Sequence, residues 1–406
     1  MSFIAQALAL LLTLAGIFLM FNVAYLLFFA LAGHWPRQTA RQRPGPVDAA
    51  EPAAAPRRMC VLIPAYQADA VVLETAAAAR RHRYAGSADV QVIADGLQPA
   101  TVQALRRQGV GVVEVSFAKS TKGQALRAAL AALPPLAYDV AVILDVDNVM
   151  SEGFLNQVDN AFAAGYRVAQ GHRTAKNLDS AFAVLDACNE EINNHIFRQG
   201  HANLGMSAAL IGSGMAFDYG YLRELLRDIG DTAGEDKELD FRILRDGCKI
   251  PYLPTAYVFD EKIPNARVFA TQRSRWLATQ HEYLHKYLGE GLRQLGHGNF
   301  DFFDKVLQSA LLPRTLLLGV LGALLLLALA LPTGWGPAPG YWLALLVGAG
   351  AALLLALPGR LYTRQVGQAL LHLPVAIGAM LLAVLRIGQA KHSFLPTPHA
   401  EPPGRE

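Results

Sequence analysis

Cysteine is scarce. Cys60, Cys188 and Cys248 are the only three, far apart and without paired or metal-ligand spacing, which excludes a disulfide scaffold and predicts reduced thiols in a cytosol-facing protein. Also missing is any long lysine or arginine block. The formal net charge of +3 implies no particular partner, and nucleic acid is not expected. Neither GxGxxG nor GxxxxGK[ST] occurs, which argues against a dinucleotide site or a P-loop.

What the chain does have is apolar sequence, unevenly spread. Phe3 to Ala32 is almost wholly apolar, long enough at ~1.5 Å per residue to cross a ~30 Å hydrocarbon core. A signal peptide is the rival reading, because Ala30-Leu31-Ala32 has a small-x-small pattern. No basic residue precedes the run, however, and it exceeds the ~7–15 residues of a signal core, so a retained membrane helix is predicted. Arg37, Arg41, Arg43, Arg57 and Arg58 follow in a Pro- and Ala-rich linker, which puts that side in the cytoplasm. Beyond Asp304, Leu307 to Leu331, Tyr341 to Leu357 and about Val366 to Leu385 are three more membrane-helix candidates. The uncharged loop PTGWGPAPG fits outside, and the loop with Arg360 and Arg364 fits inside. Three crossings would leave the tail outside, against Arg386 and Lys391, so one segment is expected to be interfacial or re-entrant.

Between these ends, short apolar strands alternate with helical segments. Met59 to Pro64, Val90 to Ala94, Val110 to Val115 and Val140 to Leu144 read as strands; Val71 to Arg83 and Thr121 to Ala132 read as helices. This alternation predicts an α/β domain with a mostly parallel, helix-covered sheet. The strand Val140 to Leu144 runs into Asp145-Val146-Asp147. Alternation along a strand would aim both carboxylates one way, at the carboxyl edge where such sheets bind ligands. Paired carboxylates there suit a hard divalent ion carrying a diphosphate, although two solvated turn aspartates are an equal alternative.

Further on, Leu178 to Gln199 reads as one helix, with Asn193, Asn194 and His195 on a solvated face. Gly212-Ser213-Gly214 permits close backbone approach or marks a tight turn. Glu235 and Asp236 open a helix, where acids favour the dipole and a carboxylate can also act as a general base. Phe269 to Tyr287 reads as an amphipathic helix carrying Gln272, Arg273, Arg275 and Trp276. Arg beside Trp suits a membrane interface, and equally diphosphate binding with sugar stacking. His281-Glu282-Tyr283-Leu284-His285 matches the zinc-peptidase pattern HExxH, but no third ligand follows at familiar spacing.

Taken in order, these segments resemble the membrane-bound family-two glycosyltransferases, the group of cellulose, chitin and hyaluronan synthases and their smaller relatives. The resemblance runs from about Met59 to Trp276 and includes the flanking membrane helices. It implies a GT-A-type nucleotide-sugar-binding fold at 58–265, after a membrane helix at 1–33 and a linker at 34–57. Interface helices at 266–304, two or three membrane helices within 305–390 and a tail at 391–406 would follow. IPAYQ is similar to the opening nucleotide-site strand, which makes Pro64, Ala65 and Tyr66 donor contacts together with Asp95 of IADG and Lys122 of STKGQAL. Asp145 and Asp147 match the metal-binding DxD, for Mg²⁺ or Mn²⁺. Gly212, Ser213 and Gly214 resemble the loop near the acceptor. Glu235-Asp236 matches the ED pair whose aspartate is the base, and Gln272-Arg273-Ser274-Arg275-Trp276 matches QxxRW. Two departures stand out: IADG lacks the second aspartate of many relatives, and membrane helices are fewer than in the large processive synthases.

The resemblance implies inverting transfer from a UDP-sugar, with β-linked polysaccharide as product. Addition of one sugar to a lipid, as in ceramide glucosyltransferases, is the alternative. It further implies a multi-pass protein with a cytoplasmic catalytic domain, in contact with membrane lipids, as in a bacterial inner membrane.

Overall fold

The computed structural model describes residues 3–36, 55–230, 234–262 and 266–385; the side chains of 266–275, 383 and 385 fall outside that description. Arg37, Arg41, Arg43, Arg386 and Lys391, on which the expected sidedness leaned, lie outside the described residues.

A long apolar helix, α1 (Phe3–Ala32), leads into the α/β domain. There β1 (Met59–Tyr66), α2 (Asp69–Arg80), β2 (Ala88–Asp95), α3 (Pro99–Arg107), β3 (Gly111–Val115), α4 (Lys122–Ala132) and β4 (Val140–Ile143) alternate as predicted. After them come β5 (Val149–Met150), α5 (Phe154–Ala163), β6 (Val168–Ala175), α6 (Ala181–Asn193), α7 (His201–Asn203), β7 (Met215–Asp218), α8 (Tyr219–Leu226), α9 (Glu235–Arg245) and β8 (Tyr252–Asp260). The eight strands form one sheet in the order β3-β2-β1-β4-β7-β6-β8-β5. β1 pairs in parallel with both β2 and β4, whereas β7 runs antiparallel to β4 and β6. The sheet is mostly parallel, with its antiparallel pairs beyond β4.

β1 and β4 are buried on both faces, which is why they read as unbroken apolar runs. Cys60, Leu62, Ala141 and Ile143 face one core layer, while Met59, Val61, Ile63, Val140 and Val142 face the other. The parallel register of β1 with β2 sets Tyr66 beside Asp95 at the carboxyl edge.

Four differences from the sequence expectation have physical causes. Ladder pairing of β4 stops at Ile143, and Asn148 N–H bonds Asp145 C=O at 3.1 Å. Asp145 and Asp147 therefore sit in a turn, and strand alternation does not set their directions. The helix expected from Leu178 to Gln199 begins at Ala181, where the Ser180 hydroxyl accepts from Ala183 N–H at 3.1 Å. It widens to a π-turn over Asn194–Gly200.

Asn193, Asn194 and His195 are not on a solvated face. Asn194 is 2% exposed and donates to Arg173 C=O at 2.8 Å; His195 bonds Ala30 C=O at 2.9 Å, and Asn193 accepts from Arg314 at 2.8 Å. The apolar helix α1 and the apolar helix that begins at Arg314 cover this face, and polar residues read from sequence alone do not distinguish water from a polar neighbour. The last difference is at the membrane. α10 (Ala266–Gly296) is longer than expected, and the segment Leu307 to Leu331 is broken. Its first part belongs to α11 (Phe300–Ala310), which meets α12 (Arg314–Ala330) at a 54° bend around Pro313. Proline cannot continue a helix without losing a hydrogen bond.

α13 (Pro339–Ala356), α14 (Arg364–Ala369) and α15 (Leu373–Leu385) complete the described residues. Among the described residues, by length and composition three helical segments can cross a membrane, or four if α11 and α12 count as one. α1 packs against α13 through Val23, Leu26, Trp342 and Leu345. It is tied to the α/β domain by polar contacts: Tyr25 O–H donates to Asp304 Oδ1 at 2.7 Å, and His201 Nε2 meets Asp304 Oδ2 at 3.0 Å. Asp304→Ala removes the carboxylate that both buried partners share and leaves Tyr25 Oη only His201 Nε2, 3.1 Å away, so stability is expected to fall by ~2 kcal/mol or more. The check is the unfolding midpoint in detergent, with Asp301→Ala, on the same helix, as a comparison.

Candidate active site

The site is built where β4 ends. Its Asp145–Asn148 turn is fixed by the loop 212–214, which is why the serine between the two glycines matters. Ser213 Oγ accepts from Asp145 N–H at 3.0 Å. With the Asn148 amide turned so that its oxygen accepts from Ser213 Oγ at 2.8 Å, its nitrogen donates to Asp147 Oδ1 at 2.7 Å and to Asp260 Oδ1 at 3.2 Å. Asp147 and Asp260 are thus held side by side. Burial pushes the Asp147 carboxyl up to about 8, with the Asp260 and Asp145 charges adding to the rise. Ser213→Ala removes both anchors and is expected to cost ~1–3 kcal/mol, read as a lower thermal unfolding midpoint.

Opposite the turn, Thr121 caps α4 by accepting from Gln124 N–H at 3.3 Å, placing Lys122 at the first helical position. Lys122 forms an ion pair with Asp145, donates to Gly212 C=O at 2.6 Å and lies 3.8 Å from Glu235. Burial alone would depress the ammonium, but Asp145 and Glu235 raise its pKa above the usual lysine value. Gly212 takes φ +84°, and a Cβ there would come 3.6 Å from Lys122 Nζ and 3.9 Å from Asp236 Oδ2. Its left-handed backbone therefore draws the lysine and the Asp236 carboxylate to one spot. Asp236 Oδ1 accepts from Lys237 N–H at 2.8 Å. Glu235 is driven up to about 7, first by burial, with Lys122 opposing and Asp236 adding. A Cβ on Gly234 would come 2.4 Å from Thr279 Cγ2, so only glycine lets α9 start this close to α10.

Lys122, Asp145, Gly212, Glu235, Asp236 and Trp276 all line one cavity of about 500 Å³. Asp147 does not line it; it lies behind Asp145, against Asp260. Pro64, Ala65 and Tyr66 end β1, next to Asp95, whose carboxylate accepts from Ser120 O–H. Trp276 is 40% exposed at the cavity, while Gln272 and Arg275 are on α10 with side chains outside the described residues.

Several site residues gave no sequence signal that was used. Asp260 ends β8 as Asp95 ends β2, and that strand-final aspartate was the available clue. Gln170, fully buried on β6, donates to Ser213 C=O at 3.1 Å and accepts from Ile211 N–H at 3.1 Å, holding both ends of the loop. Arg173 donates to Glu190 at 2.8 Å and lies 3.7 Å from Asp260, and Lys262 bonds Asp260 at 2.8 Å. These contacts join residues far apart in sequence, and nothing local marks them.

The HExxH residues do not form a metal site. His281, Glu282 and His285 are exposed on α10, and no group of three or more potential ligands is found among the described residues.

Residues 56–279 match the family described as "Glycosyltransferase like family 2". No curated protein matches. Among solved structures, the mannosyltransferase PcManGT from Pyrobaculum calidifontis, solved with GDP-Man and Mn²⁺, is 17% identical with TM-score 0.52, covering 96% of this chain and 100% of that one. At that identity the likeness extends to the fold. Glucosyl-3-phosphoglycerate synthase from Mycobacterium tuberculosis, solved with Mn²⁺ and UDP, is 18% identical with TM-score 0.36, covering 63% of this chain and 81% of that one. The family match spans more than half of the 406 residues, so the zinc-peptidase reading is replaced: the chain belongs to glycosyltransferase-like family 2, on a GT-A-like α/β domain.

Proposed function

We propose that this glycosyltransferase moves a sugar, with inversion, from a nucleotide diphosphate to a hydroxyl acceptor that reaches the site from the membrane. The observation that carries this reading is the single cavity. Lys122, Asp145 and Asp236 line it together with apolar residues from the covering helices and their junction, Leu26 of α1, Leu311, Leu312 and Met380 of α15. A water-soluble acceptor needs no such wall. A lipid acceptor receiving one sugar fits it best. The glycan reading, with β-linked polysaccharide as product, draws support from Trp276, whose exposed ring can stack on a sugar.

The donor lies along the β1, β2 and β4 edge. Pro64, Ala65, Tyr66 and Asp95 take the nucleoside, for which UDP is the proposed form, and Lys122 meets the diphosphate. Asp236 accepts the proton of the acceptor hydroxyl as its oxygen attacks the anomeric carbon. The bond to the diphosphate breaks on the opposite face, so an α-donor gives a β-product. Arg275 and Gln272 belong to the diphosphate side of this scheme.

A divalent cation fits the acidic turn: Asp147 and Asp260 share one amide, and the carboxyl of Asp147 rises because burial leaves its negative charge uncompensated. Asp147 and Asp145 would hold Mg²⁺ or Mn²⁺, and when bound the ion supplies charge neutralisation for the departing diphosphate.

The catalytic domain is placed on the cytoplasmic side. In support, the 359–365 loop docks on it: Arg360 reaches Glu191 at 2.5 Å, and Gln365 reaches Leu178 C=O at 2.6 Å. The decisive experiment is a screen of UDP- and GDP-sugars with the purified protein, reading nucleoside diphosphate release and then the product. One organic-soluble glycolipid supports the lipid reading, a ladder supports the polymer, and no release from any donor removes both.

A further inference from the structure

Lys237 follows the base, but the two side chains diverge. Adjacent residues on a helix point ~100° apart. Asp236 Oδ2 faces Gly212 and Lys122 at the donor edge. Lys237 is instead grouped with Lys305 of α11, Arg198 of the π-turn and Asp240, on the side where the membrane helices close over the domain. It lines the same cavity.

Lys305 and Arg198, the two cations grouped with it, each have a carboxylate. Lys305 lies 3.2 Å from Asp240, Arg198 lies 3.6 Å from Glu190, and Glu190 also takes Arg173 at 2.8 Å. Lys237 makes no side-chain hydrogen bond or ion pair among the described residues. Burial lowers its ammonium below the usual lysine pKa, with Lys305 and Arg198 adding to the fall and the Asp240 and Asp236 charges opposing it. An enclosed charge without a counter-ion is costly. Here it faces a cavity, so a ligand can supply the missing charge. Arg314, which donates to Asn189 and Asn193, lines the same space.

Resting on the proposed function and deepening it, we infer that the acceptor is an anionic membrane lipid whose phosphate-bearing headgroup is held by Lys237 while its hydroxyl meets Asp236. The Lys237 ammonium, with the Arg314 guanidinium lining the same space, offers positive charge that a phosphodiester can meet. The apolar wall of Leu26, Leu311, Leu312 and Met380 receives the start of the acyl chains. A free anion would use the charge and leave that wall unused. A soluble acidic glycan would do the same.

The test uses the full chain in neutral detergent, stripped of lipid, with dioleoylphosphatidylglycerol as probe and a neutral diacyl glycolipid as comparison. Wild type is expected to bind the phosphatidylglycerol at least ~10-fold more tightly, a difference of about 1.4 kcal/mol. Lys237→Met should abolish that preference and Lys237→Arg should keep it. Lys237→Met should also raise the lipid-free unfolding midpoint, because it removes an uncompensated charge; this doubles as the check that it folds.

Equal binding of the two lipids by wild type, with nucleotide-sugar binding intact, overturns the inference and leaves the proposed function standing. Displacement of the lipid by inorganic phosphate or by a soluble acidic oligosaccharide at matched concentration overturns the lipid assignment. Loss of nucleotide affinity in Lys237→Met puts the lysine on the donor, which also overturns it. Absence of nucleotide-sugar binding by wild type counts against the proposed function itself, independently of the lipid preference.

Discussion

Asp236→Asn is expected to lower turnover by at least ~10²–10⁴-fold, the range attributed to general acid–base catalysis, while nucleotide-sugar affinity changes less than ~3-fold. The substitution is nearly isosteric, and an amide oxygen still accepts from Lys237 N–H, the 2.8 Å bond that orients the carboxylate. What is lost is the capacity to take a proton. Single-turnover rates beside equilibrium donor binding make the check. Glu235→Gln serves as the comparison, because Glu235 lines the same cavity and has a carboxyl raised to about 7. If the Asn variant turns over normally and the Gln variant does not, the base is Glu235.

Asp147→Ala is expected to abolish divalent-ion dependence and to reduce turnover by ~10²-fold or more, equivalent to ~3 kcal/mol of charge stabilisation. Mn²⁺ binding, followed by electron paramagnetic resonance, gives a readout free of activity. A pH signature accompanies it. Asp147 has a folded pKa of about 8 against 3.8 for the free side chain, so the folded state binds the extra proton between those values. The metal-free protein therefore loses stability as pH rises from about 4 toward about 8, and Glu235, raised from 4.5 to about 7, acts in the same direction. A bound cation must displace the Asp147 proton, so Mn²⁺ affinity should climb with pH until about 8 and then level off. Asp147→Ala should flatten the decline and remove most of the Mn²⁺ binding. Unchanged Mn²⁺ affinity in the variant would take the ion away from this turn.

Much of the fold was legible because its signals are local. The apolar runs of β1 and β4 announce strands buried on both faces, and Thr121 before Lys122 and the acids after Gly234 announce helix starts. The membrane helices are legible for the same reason: a long apolar run has few other solutions. The site residues arrive in the order of the family's motifs, so Asp145, Lys122 and Asp236 could be named without coordinates, and the fold places them around one cavity.

Burial and long-range pairing followed other rules. Asn194 looked solvated because its neighbours in sequence are polar, yet a π-turn and the covering membrane helices put it in the core. Asp145 and Asp147 looked like strand partners, but the ladder ends before them, and Ser213, far along the chain, sets the turn instead. Asp260, Gln170 and Arg173 acquire their roles only through contacts across the sheet. The sequence by itself determined the α/β alternation, the long apolar runs and which side chains are candidates for the reaction, because each depends on residues within a turn or two. Only the tertiary structure decided which carboxylate faces the cavity, which one is buried beside Asp260, and that Lys237 forms no ion pair among the described residues. Those outcomes depend on distance and desolvation between segments that the chain order does not bring together.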